Sequence, residues 1–349
     1  MTNKWIDYLT ETGLNLNSDR EVINNSTTGL PETDLYLTDL SWLGIMEVSG
    51  DDRLTYLQGQ LTNDINAVSS SLSQLSALCT PKGRMRALFH IIQNTIQNHD
   101  SLLLQLPYGL LAENIKRLKM FILMSKVELN DVSDDIIKIG LAGKNSEQVL
   151  HNAGFSIPEQ ANMVTQHNGM LLLRLAGDVP RFECLGYFDD IQALWDSLTE
   201  QAELLSTQQW RLLDIKAGIP NVFPQTAESF IPQMVNLQFL NGVNFKKGCY
   251  TGQEVVARMQ YLGKLKRRMY LACCQSETLP EPGASLFSAS SSSGQGAGNI
   301  VDAQFSAQGE VTLLAVITND AVEKQDIFLD EAMQQPLTIL ELPYSVETE

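Results

Sequence analysis

Residues 245–263 read FKKGCYTGQEVVARMQYLG, and they divide a chain of 349 residues into two unlike parts. The apolar residues in the second half of this stretch are spaced as on one face of a helix. The spacing predicts a helix that begins near Thr251 or Gly252 and ends in a left-handed cap at Gly263. Cys249 therefore lies just ahead of a helix N-terminus.

The position of Cys249 favours a reactive thiol. Free N–H groups and the dipole at a helix N-terminus favour an anion, and Lys246 and Lys247 add positive charge beside it. Together these features favour the thiolate over the thiol. A solitary cysteine is also commonly a small buried hydrophobic residue, and that alternative stays open. Glu254 and Arg258 form an i,i+4 pair of the kind that steadies a helix.

Upstream of this loop, the chain has the pattern of an α+β protein. Short strand-like runs mix with single helices over residues 34–135 and again over residues 136–265, as in ferredoxin-like units. No sequence repeat relates the two units, and whether they interleave stays open. Residues 1–33 predict a short helix and a loose arm. Residues 266–349 contain four strand-like runs and a flexible hairpin tip at 288–298, which predicts a C-terminal β-barrel.

The charge distribution bears on partners. The chain has 24 basic and 41 acidic side chains, a formal net charge of −17. Such a surface repels phosphate backbones and argues against direct tRNA binding. The segment from Lys246 to Arg268, however, contains seven basic side chains and a single acidic one, Glu254. This cluster is either a solvated face or a basic rim around an anionic ligand.

Other features predict a cytoplasmic protein without a metal site. No apolar run approaches the roughly 18 residues of a membrane span, and the N-terminus lacks the apolar core of a signal peptide. Five cysteines without framework spacing favour reduced thiols. Cys273 and Cys274 are neighbours in a predicted strand and so point to opposite faces. There is no CxxC, and the four histidines are scattered, which argues against a metal site.

The motif KGCYTGQE at 247–254 resembles the signature of the YgfZ family, folate-binding relatives of the glycine-cleavage aminomethyltransferases. The resemblance runs from about residue 35 to the end and includes LQGQLTND (57–64), QQWRLLDIKAGIP (208–220), FIPQMVNLQFLNGVNFKK (230–247) and LPYSVE (342–347). It implies two ferredoxin-like α+β units around a central folate channel, plus the C-terminal β-barrel. It also implies a tetrahydrofolate-binding accessory protein for iron–sulfur cluster assembly or repair. Its partners would be iron–sulfur proteins such as a tRNA methylthiotransferase, and through them it would serve tRNA modification.

The same resemblance implies the site residues. Cys249 would face the channel as the candidate catalytic thiolate, within the motif positions Lys247, Gly248, Tyr250, Gly252, Gln253, Glu254 and Arg258. Trp210 and, one residue earlier than the family pattern, Trp42 would offer stacking faces to the folate rings. Gln233 and Asn236 lie where aminomethyltransferases place side chains that recognise the pterin. Charge alone suggests that the folate glutamate tail is held by the basic rim or by Lys82, Arg84 or Arg86.

One departure separates this chain from the aminomethyltransferases. Where those enzymes carry an acidic pair shortly after a KG dipeptide, this chain has Ala87 and Leu88. The missing carboxylate argues against glycine-cleavage chemistry, since it assists attack on the folate nitrogen. A folate-dependent one-carbon transferase of another kind and a direct tRNA-binding protein remain as alternatives. Cys249 could act as a nucleophile, a redox thiol or a transient cluster ligand.

Overall fold

A computed structural model describes residues 3–23, 29–96, 99–263, 265–289 and 296–346. Its α-helices are α1 (Lys4–Glu11), α2 (Arg53–Gln58), α3 (Leu111–Lys119), α4 (Ser146–Asn152), α5 (Phe188–Thr199), α6 (Thr207–Lys216), α7 (Gln253–Tyr261) and α8 (Asn319–Glu323). None of these helices is long and apolar enough to cross a membrane. Most of the predicted hairpin tip lies outside the described residues, as does Lys264 of the basic cluster.

The strands in chain order are β1 (Asn15–Leu16), β2 (Val22–Ile23), β3 (Tyr36–Asp39), β4 (Leu43–Ser49), β5 (Gln74–Cys79), β6 (Met85–Asn94), β7 (Ser101–Pro107), β8 (Glu128–Asp131), β9 (Ile137–Ala142), β10 (Val164–His167), β11 (Met170–Leu175), β12 (Arg181–Gly186), β13 (Glu203–Leu204), β14 (Arg267–Gln275), β15 (Ser285–Leu286), β16 (Gly298–Ala307), β17 (Glu310–Thr318) and β18 (Thr338–Leu340). Short 3₁₀ helices lie at Ile65–Ala67, Tyr108–Leu110, Pro224–Thr226 and Pro232–Val235. Apart from the two-stranded β1–β2 pair, the strands form three sheets.

The N-terminal arm is more ordered than a loose arm. Trp5 of α1 is buried beside Trp195 of α5, and its indole N–H donates to the Asp39 carboxylate at 2.7 Å. After α1, β1 and β2 pair as an antiparallel hairpin. The Val22 N–H donates to the Thr207 hydroxyl of α6. The prediction of a loose arm is therefore wrong for these residues, because side-chain burial and backbone pairing both hold them against the second unit.

The two α+β units are built on two sheets that pack face to face. The first sheet has the order β5-β6-β7-β4-β8, and the second has the order β10-β11-β12-β9-β3-β13. Ile45 and Leu103 of the first sheet pack against Leu171 and Leu185 of the second. Helices α2 and α3 cover the outer face of the first sheet, and α1, α4 and α5 cover that of the second. The units interleave. Strand β3 pairs with β9 in the second sheet, whereas β4, which follows after a three-residue link, joins the first sheet.

The C-terminal part is the half-barrel sheet β15-β16-β17-β14-β18. Two bulges in β16 bend it, and isolated bridges through Phe328 connect the segments next to its two edge strands. Arg211 of α6 makes two hydrogen bonds to the buried Asp302 carboxylate of β16, at 2.6 and 3.2 Å. This ion pair fixes the sheet to the α+β part. Cys274 is buried and Cys273 partly exposed, which confirms that they face opposite sides.

Helix α7 begins where it was predicted but ends differently. Gly252 is its N-cap with a φ of 86°, and a Cβ at this position would lie 2.4 Å from the Thr80 carbonyl oxygen, so only glycine fits. Gly263 does not adopt the left-handed conformation, and that prediction is wrong. The N–H groups of Leu262 and Gly263 both donate to the Arg258 carbonyl at 2.9 Å. The last turn thus satisfies this carbonyl without a left-handed residue.

Candidate functional site

A cavity of about 350 Å³ lies where the two α+β sheets meet. Leu88, His90 and Gln105 line it from the first sheet, and Arg181 and Glu183 line it from the second. Further lining comes from the end of α6 and the segment after it, from the segment before the cysteine loop and from the C-terminal segment: Asp214, Ala217, Ile219, Pro220, Asn221, Phe239, Leu240, Asn241, Pro343 and Tyr344. Both α+β units and the C-terminal part therefore contribute to the lining of one cavity.

One wall of the cavity is polar and buried. The Glu183 carboxylate accepts a hydrogen bond from the Gln105 amide at 2.9 Å. Burial raises the pKa of Glu183 to about 7, although the hydrogen bond from Gln105 opposes the shift. Arg181 donates to the Asp214 carboxylate and to the Ala176 carbonyl, so its charge is already engaged. The wall therefore offers a carboxyl group that titrates near neutral pH and has no direct ion pair.

The imidazole of His90 is neutral at physiological pH. Burial lowers the pKa of His90 to about 4, and its Nε2 shares a 2.9 Å hydrogen bond with the Ser73 hydroxyl. Two other cavity-lining side chains carry an unused polar atom: Gln105 Oε1 and Trp42 Nε1 have no hydrogen-bond partner among the described residues. Both atoms are covered by the protein, so a ligand in the cavity would pair with them only after these side chains rotated towards it, and such pairing would remove the cost of leaving them unpaired.

Other parts of the lining are apolar and include the position that separates this chain from the aminomethyltransferases. Leu43, Leu75 and Leu106 line the cavity together with Leu88. Ala87 is fully buried in the core on the other side of β6. A leucine side chain thus contacts the cavity where an acidic pair was sought, and neither Ala87 nor Leu88 can assist proton transfer.

The two tryptophans predicted to contact folate have different surroundings. Trp42 lines the cavity, whereas Trp210 does not. Trp210 is 1% exposed, and its ring packs so closely on Gly140 that a Cβ there would lie 2.7 Å from the indole. The Arg181 guanidinium lies 5.6 Å from its ring centroid. Trp210 therefore supports Arg181 from behind and presents no open face for stacking.

Gln233 and Asn236 are buried outside the cavity lining. The Gln233 amide donates to the Val256 carbonyl of α7 at 2.6 Å. The Asn236 amide donates to the Met269 carbonyl of β14 at 3.0 Å. These bonds hold the 232–237 segment against α7 and the half-barrel. Both amide nitrogens thus have a packing role, and the Asn236 amide also donates to the hydroxyl of the cavity-lining Tyr344 at 3.5 Å. Gln233 Oε1 and Asn236 Oδ1 have no hydrogen-bond partner among the described residues.

The cysteine loop lies outside the cavity lining. Cys249 is exposed, and it is not brought to the cavity as the family resemblance implied. The Lys247 ammonium points away into the protein and donates to three backbone carbonyls, those of Gln58 and Leu61 at 2.7 Å and of Asn63 at 3.0 Å. Burial lowers the pKa of Lys247 to about 8, and the nearby Asp64 carboxylate opposes this shift. Lys247 therefore acts as a clamp that fixes the loop to the segment after α2.

The other motif residues frame the loop. Tyr250 is buried with its ring 5.2 Å from the Lys247 ammonium, and burial raises the pKa of its hydroxyl. Gly248 is exposed and open on all sides, and Gln253 is half-buried at the start of α7. Glu254 and Arg258 are exposed and do not form the expected ion pair, since no salt bridge joins them in the described chain.

The basic residues suggested for the folate tail do not line the cavity either. Arg86 pairs with the carboxylates of Glu113 and Glu228. Arg84 donates to the Ser229 carbonyl at 2.5 Å, and Lys82 is exposed. Among the described residues that line the cavity, Arg181 is the one cationic side chain. The side chains that charge alone suggested for the folate tail therefore lie outside the lining of this cavity.

The remaining cysteines are poor nucleophiles. Cys79 and Cys184 are buried, and burial raises the pKa of Cys79 to about 12 and that of Cys274 to about 11. Within the described part of the chain, no group of three histidine, cysteine or acidic side chains could hold a metal ion.

The sequence interpretation missed Glu183, Gln105, His90 and Tyr344. A signal for the first two was present. Gln105 interrupts the apolar strand LLLQLP, and Glu183 lies in RFECLG, where charged residues are uncommon unless they are paired. A polar residue inside an apolar strand is a candidate for a buried site.

Comparison with known proteins gives a consistent result. A tRNA-modifying protein YgfZ from Colwellia psychrerythraea is 34% identical over 300 residues, which are 84% of this chain and 88% of that protein. One of the same name from Yersinia pestis is 32% identical over 321 residues, covering 92% and 95%. The glycine cleavage system aminomethyltransferase T from Bartonella henselae superposes with a TM-score of 0.75 at 15% identity, over 97% of this chain and 96% of that one. No protein-family model matches the chain. The structural similarity establishes the aminomethyltransferase fold, and the prediction of that three-part α+β fold is confirmed.

Proposed function

Since this chain belongs to the YgfZ family of tRNA-modifying proteins, we propose that it supports tRNA modification by binding tetrahydrofolate in the cavity between its two α+β sheets. The observation that carries the proposal is the Glu183–Gln105 pair, a buried carboxyl–amide surface that faces apolar walls. Buried polar groups that need a partner, enclosed by apolar side chains, are typical of small-molecule sites.

The chemistry of this wall fits a pterin. The pterin edge presents an amino group and a ring N–H as donors and a lactam oxygen as an acceptor. The Glu183 carboxylate and Gln105 Oε1 are acceptors for the donors, and the Trp42 indole N–H is a donor for the lactam oxygen. Leu43, Leu88 and the other apolar walls suit the flat rings. The cavity volume of about 350 Å³ is within the usual range for ligand sites, roughly 300–1,000 Å³.

The glutamate tail of folate has no cationic partner in this cavity. Arg181 already binds Asp214, and the turn at 176–178 on the rim ends in the exposed Asp178. The tail would therefore leave through the rim into solvent, and one or several glutamates should bind about equally well.

The location of Cys249 favours a role towards a protein partner. Its thiol is exposed and lies outside the cavity lining. Attack on a one-carbon unit of a bound folate would need the loop to move, and the three hydrogen bonds of Lys247 oppose such movement. We infer that Cys249 serves iron–sulfur proteins such as a tRNA methylthiotransferase, as a redox thiol or transient ligand. Folate and thiol would then act from two places on one protein.

The alternative of a one-carbon transferase has less support. Leu88 contacts the cavity where an acid would be needed, so transfer of an aminomethyl group to tetrahydrofolate should not occur. The assay is ammonia release from an aminomethyl-loaded carrier protein. A rate similar to that of a genuine glycine-cleavage enzyme would favour the transferase over the accessory role.

Calorimetric titration with tetrahydrofolate under anaerobic conditions tests the main proposal. Wild-type protein should bind one equivalent, and Glu183→Ala should weaken binding by about tenfold or more, ~1.4 kcal/mol. Glu203→Ala, at an exposed position of β13, is the matched control and should bind as wild type. In a strain that lacks the gene, the Glu183 variant should also restore less methylthiolated tRNA. Absence of saturable binding, or equal affinity of all three proteins, would refute the proposal.

A further inference from the structure

A row of basic side chains follows α7 past the cysteine loop. This basic stripe comprises Lys82, Lys246, Arg258, Lys266 and Arg267. The turn that carries Lys82 packs on α7, since a Cβ on Gly83 would lie 3.0 Å from the Val255 side chain. The other members lie just before, on and just after that helix. The stripe therefore comes from α7, from the segments that flank it in the chain and from the turn that packs on it, and the exposed Cys249 precedes the same helix.

The cations of the basic stripe have no acidic partners. No salt bridge in the described part of the chain includes any of the five. Exposed lysines on other parts of the described surface differ in this respect: Lys4, Lys126 and Lys144 pair with carboxylates, whereas Lys116 and Lys119 of α3 do not. Glu254 is the one acidic residue among the described positions from 246 to 268, so this segment carries a local excess of positive charge in a chain with a net charge of −17.

The basic stripe also includes exposed apolar surface. Tyr261 and Leu262, at the end of α7, are 66% and 85% exposed. The Tyr261 ring makes an edge-on contact with Phe245, with 6.2 Å between the ring centroids. Exposed aromatic and aliphatic side chains surrounded by arginine are typical of protein interfaces, where the apolar residues are buried by the partner.

We propose that the basic stripe, together with Tyr261 and Leu262, docks an acidic surface of a partner protein and brings that partner to the Cys249 thiol. The inference rests on the proposed function, because it specifies the surface through which an iron–sulfur protein is served. A protein partner fits better than RNA. The net charge of −17 repels a long polyanion, whereas an acidic patch on a protein is short. The Leu262 side chain cannot hydrogen-bond or pair with a phosphate, whereas its burial against an apolar residue of a protein is favourable in free energy.

Binding measurements with two probes test the docking surface. The probes are a purified, cluster-loaded tRNA methylthiotransferase and unmodified tRNA, each titrated against the full-length protein at low and at physiological salt. The variant Lys246→Glu/Lys266→Glu reverses two charges of the stripe, and Leu262→Ser removes the apolar contact. The matched control is Lys116→Glu/Lys119→Glu, which makes the same charge change at two exposed lysines of α3.

We expect the methylthiotransferase to bind wild type with an affinity that falls with salt. The stripe reversal should weaken binding by about tenfold or more and Leu262→Ser by about threefold, with the control within about twofold. Absence of binding, equal loss in the control, or no loss in the stripe variants would overturn the inference. Stripe-dependent binding of tRNA in place of the protein would overturn it in favour of RNA. Tetrahydrofolate titration of the same variants separates the two proposals. If the stripe variants bind both folate and the methylthiotransferase as wild type does, only the docking surface is refuted. If wild type does not bind folate, the proposed function is refuted.

Discussion

Lys247→Met is the most informative single change in the cysteine loop. It keeps the length of the side chain but removes the ammonium that donates to the carbonyls of Gln58, Leu61 and Asn63. The neighbouring Lys246 is exposed, and its side chain forms no ion pair or hydrogen bond in the described chain, so Lys246→Met is a matched control. Both variants remove one positive charge at adjacent positions. Only Lys247→Met also removes the three hydrogen bonds of the clamp.

The magnitude follows from the contacts. Hydrogen bonds from a charged donor contribute roughly 1.5–3 kcal/mol each. Desolvation of the partly buried ammonium has a free-energy cost that opposes this contribution, and the same desolvation lowers the pKa of Lys247 to about 8. Since the side chain is only half-buried, this cost is discounted to roughly 1–2 kcal/mol. Water also reaches some of the freed carbonyls. We therefore expect Lys247→Met to lower the free energy of unfolding by about 2–3 kcal/mol, and Lys246→Met to change it by less than about 0.5 kcal/mol.

Urea unfolding of the three proteins measures this difference, and limited proteolysis localises it. Lys247→Met should be cleaved faster within residues 244–252, because the loop loses its attachment to the segment after α2. Equal unfolding free energies for Lys247→Met and Lys246→Met, with an equally protected loop, would show that the clamp is not formed and that Lys247 is free to serve the thiol.

Three further predictions concern the cavity and the thiols. Trp42→Phe should weaken tetrahydrofolate binding about fivefold, ~1 kcal/mol, because it deletes the indole N–H. Trp210→Phe should alter stability but leave the affinity for tetrahydrofolate within about twofold of wild type. A larger loss of affinity in Trp210→Phe than in Trp42→Phe would contradict the placement of the two rings. Burial raises the pKa of Glu183 above its unfolded value, so its stabilising contribution is complete below about pH 4.5 and lost as the pH rises through about 7. In urea unfolding, Glu183→Gln should therefore gain roughly 2–3 kcal/mol relative to wild type between about pH 5 and pH 8, and a pH-independent difference would exclude this titration. Iodoacetamide at neutral pH, with mapping by mass spectrometry, should label Cys249 first, because this thiol is exposed. Earlier labelling of one of the buried cysteines (Cys79, Cys184 or Cys274) would contradict the exposure of Cys249.

The sequence predicted those parts of the fold that depend on local patterns. Helical spacing located α7 and placed its start near Thr251 or Gly252. The structure explains the glycine at that start, because a Cβ on Gly252 would lie 2.4 Å from the Thr80 carbonyl oxygen. Adjacent Cys273 and Cys274 had to face opposite sides of a strand. The departure of β3 to the second sheet was not predictable, because strand partners are chosen by long-range packing that leaves no periodic signal.

The candidate site was predicted less well, because motif positions do not reveal where side chains point. Trp210 matched the family pattern cleanly, yet it packs on Gly140 behind Arg181. Trp42, one residue out of register, lines the cavity. Lys247 was interpreted as a charge beside the thiol, but three carbonyls 184–189 residues earlier in the chain hold its ammonium. Such tertiary hydrogen bonds cannot be seen in a linear sequence.

A crystal structure of this protein with tetrahydrofolate tests the central claim most directly. We predict that the pterin lies between Leu88 and Glu183, with its donor edge on the Glu183 carboxylate and the Gln105 amide oxygen and its glutamate tail leaving past Asp178. The Cys249 sulfur should remain at the surface, out of contact with the ligand. A pterin bound elsewhere, or a folate carbon in contact with the Cys249 sulfur, would contradict both the assigned cavity and the partner-directed role of the thiol.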